Sequence, residues 1–164
     1  MSSSDYIQKI FAADEIASSV DLGQSSTQDS NRNQVEIFVA SEAIAAGALV
    51  SLDLAKANNG LRLLSVKEAD GTDACPVGVA VTAALSGAKV EVVIKGIVEE
   101  AKTKGDVVNI AVGDALIVNT GGKLHAQAVN EGGAATFNLK PTVAVALEAT
   151  TADGTSRVYV MKNF

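Results

Sequence analysis

The side chains most able to do chemistry are few. The chain has one histidine, His125, and one cysteine, Cys75. His125 lies in the run KLHAQAV, alternating with Leu124 and Ala126, and no serine or cysteine nucleophile motif stands near it. That placement describes a histidine on a strand surface or edge better than a general base. A lone Cys75 cannot close an intramolecular disulfide, and with one histidine there is no ligand set for structural zinc. Its simplest role is that of a small apolar side chain. Two acidic pairs, Asp14-Glu15 and Glu99-Glu100, have the composition of solvated carboxylates, and nothing in their spacing sets a catalytic separation. The glycine pairs Gly121-Gly122 and Gly132-Gly133 sit between strand-like runs without a following helix, so they read as turns and not as phosphate cradles. Nucleotide-binding glycine loops, metalloprotease helices and Asp-rich calcium loops are absent from the sequence. The reading is a protein without catalytic, metal-binding or cofactor-binding residues, which works by contact.

The elements that would carry such contacts follow from composition. In 164 residues, 48% are hydrophobic but only 4% aromatic, and tryptophan is absent. The core must be built from Ala, Val, Leu and Ile. Few flat rings remain for stacking bases or sugars. Thirteen basic against nineteen acidic residues give a net charge of −6, with the positive residues scattered singly. No basic stripe exists to track phosphates, which argues against nucleic acid as a direct partner. Met1 to Val20 lacks the basic start and continuous apolar run of a signal peptide. The longest uncharged stretch, Ala74 to Ala88, contains Gly and Pro and is too short to span a bilayer, so a soluble protein without a membrane partner is expected.

Three zones differ along the chain. In residues 1–17, Asp5 and Gln8 suggest a capped short helix with Ile7, Ile10 and Phe11 on one face. A helix this short needs something to pack on, either its own domain or a neighbouring subunit. Residues 18–34 read SSVDLGQSSTQDSNRNQ, too polar to offset their ordering entropy by burial, and so form a linker or arm. From Val35 onward short β-type runs recur between Gly, Asn, Asp and Pro clusters, beginning with VEIFVA and ending with RVYVM. The expected fold is mainly β: a compact β-barrel of short, mostly antiparallel strands over 35–164, preceded by an N-terminal segment and polar arm over 1–34. One or two turns of helix could fit near Ser41–Ala46 and Glu99–Lys104.

An internal duplication is also visible. Ile44-Ala45-Ala46-Gly47 matches Ile110-Ala111-Val112-Gly113, VGVAV from Val77 matches VAVAL from Val143, and Val92 and Ile94 match Val158 and Val160, all at one offset of 66. Two pseudo-repeated halves, 44–98 and 110–164, would then share a core that neither could bury alone. One irregular barrel without pseudo-symmetry is the competing reading.

The succession Cys75-Pro76-Val77-Gly78-Val79-Ala80, Gly87, Val90, Val92, Ile94 and Gly96, then Gly113-Asp114-Ala115-Leu116-Ile117, Val143 to Ala149 and Arg157-Val158-Tyr159-Val160 resembles the capsid decoration, or cement, proteins of tailed bacteriophages, including the lambda-type head stabilisers. The resemblance implies a β-tulip-like barrel, no catalytic or metal-binding residues and no cofactor. It implies a virion protein, made in the host cytoplasm, that binds the major capsid protein on the outside of the mature head and stabilises the lattice. It also implies a homo-oligomer, a trimer before a dimer. The arm and the apparent duplication depart from the compact lambda-type members. The candidate interface residues are Val35, Ile37 and Phe38 of VEIFVA, which could add a strand to a partner's sheet edge, with Ile7, Ile10 and Phe11 as a second apolar anchor. VEIFVA as the first core strand is the plainer alternative. A surface-displayed module that adsorbs host glycans is the alternative function; the low aromatic content speaks against it.

Overall fold

A computed structural model describes residues 33–56, 63–73, 75–104, 109–127 and 141–161. The described residues all belong to one compact unit, Asn33–Phe164. Their regular structure is entirely β. Nine strands are present among the described residues: β1 (Gln34–Ala40), β2 (Leu49–Leu52), β3 (Ser65–Glu68), β4 (Pro76–Ala80), β5 (Lys89–Thr103), β6 (Ala115–Val118), β7 (Leu124–Ala126), β8 (Ala144–Ala146) and β9 (Gly154–Val160). The mainly β barrel expected from the turn-punctuated runs is what the chain forms.

The pairing closes twice. β1 runs parallel to β3, β3 antiparallel to β2, β2 to β4, β4 to the first part of β5, and β5 returns to β1. The later part of β5 then runs parallel to β7, β7 antiparallel to β6, β6 to β8, β8 to β9, and β9 returns to β5. Each circuit is a five-stranded ring, and the fifteen-residue β5 belongs to both. Closure leaves few unpaired edges, which is how small β proteins avoid indiscriminate association.

The two circuits use the same bonds. Leu49 faces Val79 and Val79 faces Val93; 66 residues on, Ala115 faces Val145 and Val145 faces Tyr159. The isolated bridge Ile44–Ala84 recurs as Ile110–Thr150. Gly47 donates its N–H to the Ala80 carbonyl at 2.8 Å, and Gly113 donates to Ala146 at 2.8 Å. Both glycines have positive φ, 72° and 92°, a turn conformation that penalises any Cβ.

Two short helices allowed by the sequence do not form. Ser41–Ala46 runs from a bend through the Ile44 bridge into a turn, and Glu99–Lys104 continues β5 as far as Thr103. Ala101 and Thr103 point inward there while Glu99 and Glu100 stay exposed, the alternation being shifted by an irregularity between Val98 and Ala101. Glu99 and Glu100 therefore lie on a strand and not on a loop, and Glu99 pairs with Arg157 at 2.9 Å.

The core is aliphatic, as the composition requires. One cluster fills the first ring, with Phe38, Val50, Val66, Val90, Val92 and Ile94. The other fills the second ring with Ile110, Leu116, Val118, Leu124, Val158 and Val160, and also takes in Leu49, Val79 and Val93 from the outer face of the first ring. β4 is accordingly buried on both faces, and Gly78 leaves no room for a side chain beside the Val93 carbonyl.

Backbone contacts lock the rings together. Leu49 N–H donates to the Gly122 carbonyl at 2.7 Å, Gly122 N–H to Ala69 at 2.9 Å, and Lys102 N–H to Gly47 at 2.8 Å. A Cβ on Gly47 would overlap the Glu100 carbonyl oxygen, and one on Gly122 would press on the Ala48 methyl.

Candidate functional site

Contact surfaces are built here from strand alternation. On β1 the even positions Phe38 and Ala40 face the first core, and the odd positions Val35, Ile37 and Val39 face out, with Ile37 61% exposed. Successive strand side chains point to opposite faces, so Phe38, at 7% exposure, cannot share a docking face with Val35 and Ile37. Phe38 is a core residue. Val39, two positions on from Ile37, takes its place in the exposed row.

A second exposed apolar pair lies beside the end of β1. Val39 N–H donates to the Leu64 carbonyl at 2.7 Å, and Leu63 and Leu64 are both exposed. Large apolar side chains left in water cost about 25 cal/mol per Å² relative to burial, and a contiguous group of them marks a contact surface. β1 is also a barrel strand, paired with β5 from Gln34 to Val39. Its pairing with β3 covers only Val39 and Ala40, so on that side Gln34–Phe38 meets no strand among the described residues.

Asn33 fixes the start of β1. Its side-chain amide donates to the Ile97 carbonyl at 3.1 Å, and its side-chain oxygen accepts the Ile97 N–H at 2.8 Å, imitating a strand neighbour. Beside it opens a cleft of about 450 Å³ with Val35, Val81, Val93 and Val98 on its walls and Glu91, Glu99 and Glu100 at its rim. A lining of mixed valines and carboxylates suits protein contact. A shallower hollow of about 380 Å³ lies where Ile44, Ala84 and exposed Leu85 meet.

The side chains considered for chemistry are not brought together. His125 is half-buried on β7, opposite Ile117 on β6. Cys75 is a free thiol, half-buried and not in the core, and its carbonyl accepts the Leu52 N–H. Among the described residues no group of three or more His, Cys, Asp or Glu could hold a metal ion. The ion pair Lys67–Asp73, at 3.0 Å, ties β3 to the connection before β4; the Asp73 carboxylate raises the Lys67 pKa above its ordinary 10.5. Ile7, Ile10 and Phe11 lie outside the described residues.

A family model described as phage cement protein matches residues 28–162. The chain belongs to the phage cement protein family. It is thus a structural, capsid-associated phage protein, placed on the exterior of the virion head with the capsid as its partner. Among solved structures, the head fiber gp8.5 N base of bacteriophage phi29 is similar with a TM-score of 0.52, at 15% identity, over 79% of this chain and 95% of that one. At that identity the likeness concerns the fold. No curated protein gives a significant sequence match. Membership of a structural family agrees with a surface of exposed aliphatic rows on a closed barrel.

What sequence reasoning missed in this cement-family chain is the part of the surface built from two segments. Leu63 and Leu64 join Val39 only through the β1–β3 pairing, and the signal for them was the apolar run LRLLSV. Val112 and Leu147, both exposed, lie in the second ring where Ala46 and Val81 lie in the first, and the 66-residue offset already aligned them.

Proposed function

We propose that this chain binds the outer surface of the mature phage head and stabilises the capsid lattice. The observation that supports this reading is the match of residues 28–162, the whole closed barrel included, to the phage cement protein family. Asn33 and Gln34 already belong to the barrel, so residues 33–164 act as the decoration domain. Residues 1–32 act as the arm that reaches the major capsid protein, with Ile7, Ile10 and Phe11 as its apolar anchor.

The mechanism needs no reactive group. A subunit that binds only the expanded lattice shifts the expansion equilibrium by RT ln(1 + [L]/Kd) per site, about 2.7 kcal/mol at a hundredfold excess over Kd. Summed over many sites, a modest affinity is enough to hold the shell. Decorated heads are therefore expected to survive heat and osmotic shock that rupture bare heads. Equal survival of decorated and bare heads would refute the stabilising role. Removing residues 1–32, which spares the Asn33–Ile97 bonds, is expected to weaken binding to expanded heads; unchanged affinity would take the arm out of the mechanism.

A further inference from the structure

The internal contact between the rings has two sides, and each side has a counterpart that is left open. The first side is the outer face of the first ring: Gly47, Leu49, Val79 and Val93, all buried. It packs on the second side, the β5 stretch Glu100–Lys102 with the β6–β7 turn at Gly122. Moving 66 residues along carries the first side to Gly113, Ala115, Val145 and Tyr159. The strand registers are the same, yet Gly113 is exposed and the other three are only half-buried. A Cβ on Gly113 would meet nothing within 4 Å, where one on Gly47 would strike the second ring. Exposed Val112 and Leu147 flank this face.

The second side has its counterpart on β1. Ala101 faces Ser156 as Phe38 faces Val90, and Thr103 pairs with Leu124 as Ala40 pairs with Val66, so Glu100–Lys102 corresponds to Ile37–Val39. That segment carries the exposed row.

We propose that the Val112–Leu147 face of one copy docks on the Ile37–Val39–Leu64 row of a second copy, repeating between molecules the packing that joins the two rings within one. The contact continues an interface the chain already makes, and its two faces are the two apolar surfaces which that interface leaves over. It differs in one respect. Val39 N–H is already bonded to Leu64, whereas the corresponding Lys102 N–H is bonded to Gly47, so the contact between copies rests on side chains. It is head-to-tail, which closes into a ring when the rotation per copy permits. The proposal refines the cement reading, because it assigns the β1 row to a neighbouring copy and leaves the shell to the arm.

Sedimentation of the purified full chain without heads tests it. The wild type is expected to self-associate. Ile37→Glu and Leu147→Glu, both at exposed positions, are each expected to weaken association about 100-fold while keeping the wild-type far-ultraviolet circular dichroism spectrum, because each puts an unpaired charge into the contact without touching the core. A one-to-one mixture of the two variants retains one intact face of each kind and is expected to form a heterodimer that grows no further. A monomeric wild type, variants that associate like the wild type, or a mixture that stays monomeric would each overturn the proposal. Binding to expanded heads is read separately: if Ile37→Glu abolishes it while self-association is unchanged, the row faces the shell, and this inference fails while the cement function stands.

Discussion

The two rings are built on one plan and live in different surroundings. Gly47 and Gly113 occupy corresponding turns, each donating its N–H to the last residue of a neighbouring strand, Ala80 of β4 and Ala146 of β8, and each with a left-handed φ. Gly47 is pressed against Glu100 of the second ring, and Gly113 stands in the open. Leu49 is fully buried where Ala115 is half-buried. Identical local geometry therefore carries different energetic weight, and the weight is set by what the neighbouring ring supplies. The first ring has its outer face covered within the chain; the second keeps its equivalent face for a contact.

Substitutions at paired positions test this difference. The largest effect is expected at Gly47. Gly47→Ala adds a left-handed penalty of about 1–2 kcal/mol and an overlap with backbone worth about 1–3 kcal/mol more. Gly113→Ala adds only the first part. Denaturant unfolding of both variants checks the gap, and equal losses would break the comparison. Leu49→Ala is next, expected to cost about 3 kcal/mol for a buried leucine, while Ala115→Leu on the half-open face should change stability by less than about 1 kcal/mol. Asn33→Ala follows, at about 1–2 kcal/mol for two partly buried hydrogen bonds to Ile97; thermal melts against Asn33→Asp, which keeps only the acceptor, separate the two bonds.

The smallest effect concerns Lys67, in the first ring. Its folded pKa lies above 10.5, raised chiefly by its hydrogen bond to Asp73. The ion pair's stabilisation is fully present below the unfolded value and is lost as pH rises through the folded one. The pair is partly solvated, so the loss is at most a few tenths of a kcal/mol. Asp73→Asn should flatten that alkaline decline, and an unchanged pH profile would remove the pair from the account.

Much of the fold was legible because strand and turn signals are local. VEIFVA, PVGVA, ALIV and RVYV show alternation or short β-branched runs, and Gly47 and Gly113 punctuate them at matching places. The continuity of β5 was not legible. Gly96 and the Glu99-Glu100 pair look like a break, yet Gly96 sits at a φ of 125° against the Asn33 side chain, and both glutamates simply face out. Ile44 looked helix-compatible because its bridge partner Ala84 is forty residues away. Phe38 stands with Val35 and Ile37 among the interface residues expected from VEIFVA, although the period-two pattern places it on the opposite face, in the core. The difference between Leu49 and Ala115 depends on which ring lies alongside, which no window of sequence contains.

The central claim is that this chain acts by adhering to the outside of a phage head. Adding the purified protein to bare expanded heads and imaging them by cryo-electron microscopy tests it most directly. The account predicts barrel-sized density at repeating positions on the outer surface of the shell, absent from bare heads. An outer surface that stays bare at saturating protein would contradict it.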